Sequence, residues 1–207
     1  MTSVITGDIT NSRKIKRQDR WMVPLKRLLA KYGNTPSTWE IYRGDSFQLE
    51  VKDPADALLT AIKIKACIKS IKELDVRMAI GIGQKSYRAR RITQSNGQAF
   101  IYSGEKFESL KKFKQTLAIK SPWEELDMEI NLMISLASII MDKWSPISAE
   151  LINLSLSNRK LSQKEIGKKL GRTQSSISER QKRAHYNEIM DLEAFYRKKV
   201  QQQLHVL

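Results

Sequence analysis

The stretch "LSQKEIGKKLGRTQSSISERQKR", residues 161–183, carries three residues whose separations are dictated by helix packing. Two short helices that cross steeply need a small residue inside the first. They need a glycine at the turn, where φ is positive, and a branched apolar residue inside the second. Gly167, Gly171 and Ile177 stand at those separations, with Leu161, Ile166 and Leu170 as inward residues. A helix-turn-helix over about 161–186 is therefore expected. Its second helix begins at Thr173 or Gln174.

The exposed side of that second helix reads as a DNA surface. The expected contact set is Thr173, Gln174, Ser175, Ser176, Ser178, Arg180 and Arg183. Short polar side chains at a helix start suit phosphates and base edges, and Gln pairs with adenine in a major groove. Arg180 and Arg183 suit guanine or phosphate. Glu179 opposes phosphate unless an arginine neutralises it. The pattern resembles the general bacterial helix-turn-helix, with Gly167 where alanine is commoner. The competing reading is a helical hairpin used only for packing, its polar residues merely solvated.

The charge distribution favours a polyanion. The formal net charge is +15, and Lys and Arg gain by releasing counterions from phosphates. The surplus is not confined to the motif. Residues 1–123 hold 24 Lys and Arg against 11 Asp and Glu, whereas residues 124–145 hold 1 against 5.

Upstream, "SVITGDI" reads as a strand ending at Gly7-Asp8. "SRKIKRQDRWMVPLKRLLAKYG" reads as an amphipathic helix capped by Ser12, kinked or split at Pro24 and stopped by Gly33. "STWEIYRGDSFQLEVK" alternates on both sides of Gly44-Asp45, a hairpin signal. A helix follows, with Asp53 as cap and Pro54 in its first turn. "DVRMAIGIG" is an interior strand. The order β-α-β-β-α-β is that of a ferredoxin-like or palm domain, an antiparallel sheet covered on one face by two helices. Residues 84–97 read as a mobile basic loop. A further helix and a final strand, "TLAIKS", complete this part, and Pro122 marks a boundary.

In a palm arrangement the end of the first strand and the tip of the central hairpin lie side by side. Asp8 and Asp45 fall at those two places, and such a carboxylate pair suits Mg²⁺ with phosphate oxygens and water. Taken singly, Asp8 would be a helix cap and Asp45 a turn residue. Arg13, Lys14, Arg43 and Lys85 could serve phosphates, although a surface Lys or Arg usually does nothing specific.

"GDIxxS", a hairpin "GD" and "VRMAIGIG" resemble the core of class III nucleotide cyclases and, more distantly, diguanylate cyclases. That resemblance implies metal binding by Asp8 and Asp45, and phosphates near the backbone of Ile9 and Thr10. The helix after the "GIG" strand, "GQAFIYSGEKFESL", lacks the Asn-x-x-x-Arg arrangement of those enzymes. Over nearly the whole chain, "VITGDITNSR", "YRGDSFQLEV", "DVRMAIGIG" and "LSQKEIGKKLGRTQSSISE" resemble the SatD family of bacterial proteins. This implies a cyclase-like front joined to a helix-turn-helix tail, an architecture rather than a reaction.

Other classes are disfavoured. The lone Cys67 forms no intramolecular disulfide and lies in an apolar helical pattern. His185 and His205 lack zinc spacing. No apolar run reaches membrane-spanning length, and the start lacks the regions of a signal peptide, so a cytoplasmic protein is expected. The full expectation is an α+β chain. Residues 1–121 form a cyclase-like palm domain, and 122–207 form an all-α domain with the helix-turn-helix. The helix over 124–144 joins them, burying Leu132, Ile134, Leu136, Ile139 and Ile140. The expected function is a homodimeric DNA-binding transcription regulator whose front domain senses a ligand, such as a nucleotide at Arg13 and Arg43, or dimerises. The alternative is a Mg²⁺-dependent nucleotidyl cyclase or transferase using Asp8 and Asp45.

Overall fold

The computed structural model describes residues 1–158 and 160–205. Alternating apolar residues build five strands: β1 (Thr2–Thr10), β2 (Trp39–Tyr42), β3 (Ser46–Val51), β4 (Asp75–Gly83) and β5 (Leu117–Lys120). They form one sheet in the order β2-β3-β1-β4-β5. All neighbours are antiparallel except the edge pair β4 and β5. The Gly44-Asp45 turn sets the hairpin register, pairing Tyr42 with Ser46 and Trp39 with Leu49.

Side chains alternate across this sheet. Ile5, Ile9, Phe47, Leu49, Met78, Ile80 and Ile82 share one buried cluster with α1 (Asp19–Leu29) and α2 (Ala57–Lys69). On the opposite face Val4 packs with Ile92, Ala99 and Phe100, and Ala79 packs with Leu110 and Ala118. That face is covered by α3 (Gln98–Lys112). The sheet thus carries helices on both faces, where two helices on one face were expected. The extra layer depends on Gly81. A Cβ there would lie 2.1 Å from the Ala99 carbonyl oxygen and 2.3 Å from the Ser103 amide nitrogen.

Several local expectations shift. β1 runs two residues past Asp8. Ser12 opens a short 3-10 turn, Ser12–Lys14, and α1 starts only at Asp19; its span from Asp19 to Leu29 includes Pro24 without being split. The basic loop is pinned: Ile92 is fully buried, its amide donates to the Pro36 carbonyl at 2.7 Å, and Arg91 pairs with Glu40. Burial pushes the Glu40 carboxyl upward, yet hydrogen bonds from Arg91 and Thr93 outweigh it and leave the group below its ordinary range.

Five helices follow: α4 (Glu124–Met141), α5 (Pro146–Ser157), α6 (Gln163–Leu170), α7 (Gln174–Arg183) and α8 (Tyr186–His205). The buried cluster under α1 and α2 continues without a break through Ile130, Ile134, Met141, Trp144, Ile152, Ile189, Tyr196 and Val200. The fully buried Tyr196 donates its hydroxyl to the Pro54 carbonyl at 2.8 Å, and Arg197 pairs with Asp56 at 2.8 Å. Lys65, wholly buried, lies between Asp75 at 2.9 Å and Asp142 at 2.6 Å. Lys69 reaches Asp75 at 3.1 Å and the Asp142 carbonyl at 2.7 Å. An ion held so far from water persists only with partners on each side. The cluster therefore fixes α2, β4 and the end of α4 together. On α4 itself Ile134 is buried and Ile140 half-buried, but Leu132, Leu136 and Ile139 face solvent, contrary to expectation.

Cys67 is buried, as its pattern suggested, and burial pushes its thiol up to about 11. Only the thiolate is nucleophilic. A thiol reagent at neutral pH is therefore expected to leave the native chain unlabelled and to label it at once in denaturant. Fast native labelling, read by absorbance, would contradict this. Among the described residues no helix is long and apolar enough to cross a membrane.

Candidate functional site

The C-terminal candidate is built by α5, α6 and α7 around Leu151, Ile166 and Ile177, with Leu154, Leu161 and Leu170 against them. Ser162 caps α6 through a capping box with Glu165, whose carboxylate reaches back to the Ser162 amide at 2.8 Å. These hydrogen bonds hold the Glu165 carboxyl below its ordinary range. The signature "SQKE" is readable from spacing alone, yet it was not part of the sequence expectation. Gly171 ends α6 at φ 62°, a conformation that strains residues with a side chain. Thr173 caps α7, accepting from the Ser176 amide.

Gly167 has a steric reason to be glycine. A Cβ there would stand 2.7 Å from the Arg172 carbonyl oxygen, part of the turn's backbone. Alanine inside a helix is worth about 1 kcal/mol over glycine, whereas overpacking against backbone costs about 1–3 kcal/mol. Gly167→Ala is expected to lower stability in urea unfolding. A rise would mean that the turn opens freely.

Ile177 turns inward, and Thr173, Gln174, Ser175 and Arg183 are exposed; Ser176, Ser178 and Arg180 are half-buried. Arg183 pairs with Glu179 on the same helix, so the one acidic side chain of this surface is neutralised. Gln174 is engaged: its amide donates to Gln163 at 2.6 Å, Gln163 donates to Gln181 at 2.8 Å, and Gln181 donates to Ser155 at 3.2 Å. This chain of amides ties the start of α7 to α6 and α5, and Gln174 must leave it to reach a base. Trp144 fixes the far end of α7, donating to the Ala184 carbonyl at 3.0 Å. Gln163, Gln181 and Trp144 escaped sequence reading because no local period marks a cross-helix amide.

At the front, Asp8 lies on β1 opposite Ser46 and Arg77. Both its oxygens accept from the Arg77 guanidinium, at 3.0 Å from Nε and 2.5 Å from a terminal nitrogen. That hydrogen bonding raises the Arg77 pKa above its ordinary value. Asp45 is tied to the neighbouring segment twice. It accepts from the Ser12 hydroxyl at 2.6 Å, and its carbonyl accepts from the Ile9 amide at 3.0 Å. The hairpin tip and β1 therefore meet. Arg13, in the 3-10 turn, and Arg43, in the hairpin turn at φ 51°, are exposed on the two flanking loops.

Two carboxylates beside each other would suit a hard dication, but here Asp8 is already neutralised by a bidentate arginine. Mg²⁺ would have to sit against that guanidinium, and the donor set as folded does not fit the ion. Among the described residues no group of three or more His, Cys, Asp or Glu is placed to hold a metal. Arg77 was missed in sequence because its pairing depends on the register of β1 against β4.

The SatD family model matches residues 3–203. No curated protein and no solved structure matches the chain.

Proposed function

The chain belongs to the SatD family, and we propose that it binds double-stranded DNA as a transcription regulator, with α7 entering the major groove. The observation that carries this reading is the two-sidedness of α7. Ile177 anchors it in the small core with Leu151 and Ile166, while Thr173 at the capped start, Gln174, Ser175 and Arg183 are exposed on a polar side that the half-buried Ser176, Ser178 and Arg180 border. A recognition helix needs that combination, a rigid back and a front free to touch phosphates and base edges. The pairing of Glu179 with Arg183 removes the charge that most opposed the reading.

In this proposal residues 122–207 are the DNA-binding part, and residues 1–121 are a ferredoxin-like, cyclase-like palm that senses a ligand. The strand order β2-β3-β1-β4 supports the palm reading. The protein works in the cytoplasm. Metal-dependent nucleotide turnover is the second reading. The meeting of β1 with the hairpin tip favours it, and the Arg77–Asp8 pair opposes it.

The test is titration of the full chain with labelled duplexes across a range of salt. Binding whose logarithm falls linearly with the logarithm of salt, and which favours duplex over single strand, is the expected result. No binding at low salt would sink the DNA reading. Turnover of ATP or GTP with Mg²⁺, lost in Asp8→Ala, would favour the second reading.

A further inference from the structure

α4 turns a row of apolar side chains away from its own core. Met128, Leu132, Leu136 and Ile139 are 59–68% exposed, as is Phe113 alongside. Their spacing keeps them on one face of a straight helix. Phe113 lines the clefts on this side of the helix, one beside Met128 and Asn131 and the other beside Ser135 and Ile139. A soluble chain seldom leaves so long an apolar row bare.

We propose that this face is covered by the same face of a second copy, with the two α4 helices antiparallel about a two-fold axis between residues 133 and 134. The argument is self-complementarity. About that point Met128 comes opposite the second copy's Ile139, and Leu132 comes opposite Leu136 to within one residue. Ser135 is the small side chain near the centre that lets the helices approach. The charges obey the same symmetry. Glu124, exposed in the first turn of α4, comes opposite Lys143, exposed just past its end. A parallel pair would instead set Glu124 against Glu124. An isologous contact needs this kind of patch, one that answers itself under rotation.

The area suffices. Five large side chains at this exposure offer on the order of 600 Å² of apolar surface per copy, the top of the range for a soluble monomer. Two copies bury about 1,200 Å², within the range of a specific interface before any polar rim is added. The proposal does not rest on DNA binding, and it survives if that reading fails.

Sedimentation velocity of the full chain at tens of micromolar is the experiment. The expected species has twice the 23.9 kDa mass of the chain. Leu132→Glu with Leu136→Glu is expected to give a monomer with unchanged helical content, because neither side chain is in the core, and with a melting temperature that no longer varies with protein concentration. Glu124→Lys alone and Lys143→Glu alone are each expected to weaken self-association, and mixing the two variants to restore it as a heterodimer. A wild-type chain that stays monomeric leaves the face to another partner and overturns the proposal. So does a dimer that survives the double glutamate variant. Failure of the mixed charge variants to recover would overturn the antiparallel register.

Discussion

Alanine at both Arg180 and Arg183 is expected to weaken duplex binding by at least tenfold. Each arginine that forks onto guanine is worth about 1–3 kcal/mol, and each phosphate contact removed lowers the salt slope by about one. The two residues start from different states. Arg180 is half-buried on α7, whereas Arg183 is exposed and held by Glu179. Arg183 must therefore exchange a carboxylate for DNA, and its single loss should cost less than that of Arg180. By the same reasoning Glu179→Ala is expected to tighten binding, since it frees Arg183 from a competing carboxylate. Fluorescence anisotropy at two salt concentrations measures all four variants. Unchanged affinity in the double variant would mean that α7 does not touch the duplex.

The largest effect on stability is expected at Gly81. Gly81→Ala puts a methyl group 2.1 Å from one backbone atom of α3 and 2.3 Å from another. Neither atom belongs to a side chain that could rotate away, so α3 must lift from the sheet. Overpacking of this kind costs about 3 kcal/mol or more, a large share of the roughly 5–15 kcal/mol that a folded domain has. The melting temperature should fall by about 10 °C for a chain of this length, and Gly81→Val should fail to fold. Gly104, on α3 itself, is the control. A Cβ there meets nothing within 4 Å, so Gly104→Ala should be neutral or stabilising by up to about 1 kcal/mol. Thermal unfolding followed by circular dichroism separates the two. Equal melting of Gly81→Ala and the wild type would mean that α3 is not seated as described.

What could be read in the sequence was what short spacing determines. The hairpin about Gly44-Asp45, the turn at Gly171 and the start of α7 beside Thr173 all rest on residues close in sequence, whereas the cap expected of Asp53 falls on a 3-10 turn, Pro54–Asp56, just ahead of α2. The core positions Ile166 and Ile177 rest on the separations within one pair of short helices. What escaped depends on partners far along the chain. "DVRMAIGIG" gives an interior strand but does not say that its glycines admit a third helix. Leu132 and Ile134 look alike in a hydrophobic run, yet only Ile134 is buried, because the face that α4 shows to the core is chosen by β5 and α8. Asp8 was legible as a carboxylate beside the hairpin. Its neutralisation by Arg77, 69 residues away, was not.

The anchoring of Tyr196 on Pro54 has a consequence for how the molecule is made. The last helix fills a place in the core that the turn at Pro54, just ahead of α2, has been offering since the first third of the chain left the ribosome. Until Tyr196 and Val200 emerge, the part of this core that they cover beside Pro54 stays open. Synthesis at about 5–20 residues per second leaves this surface open for many seconds. During that wait the growing chain depends on its strong positive charge, or on a chaperone, to keep from associating with its neighbours.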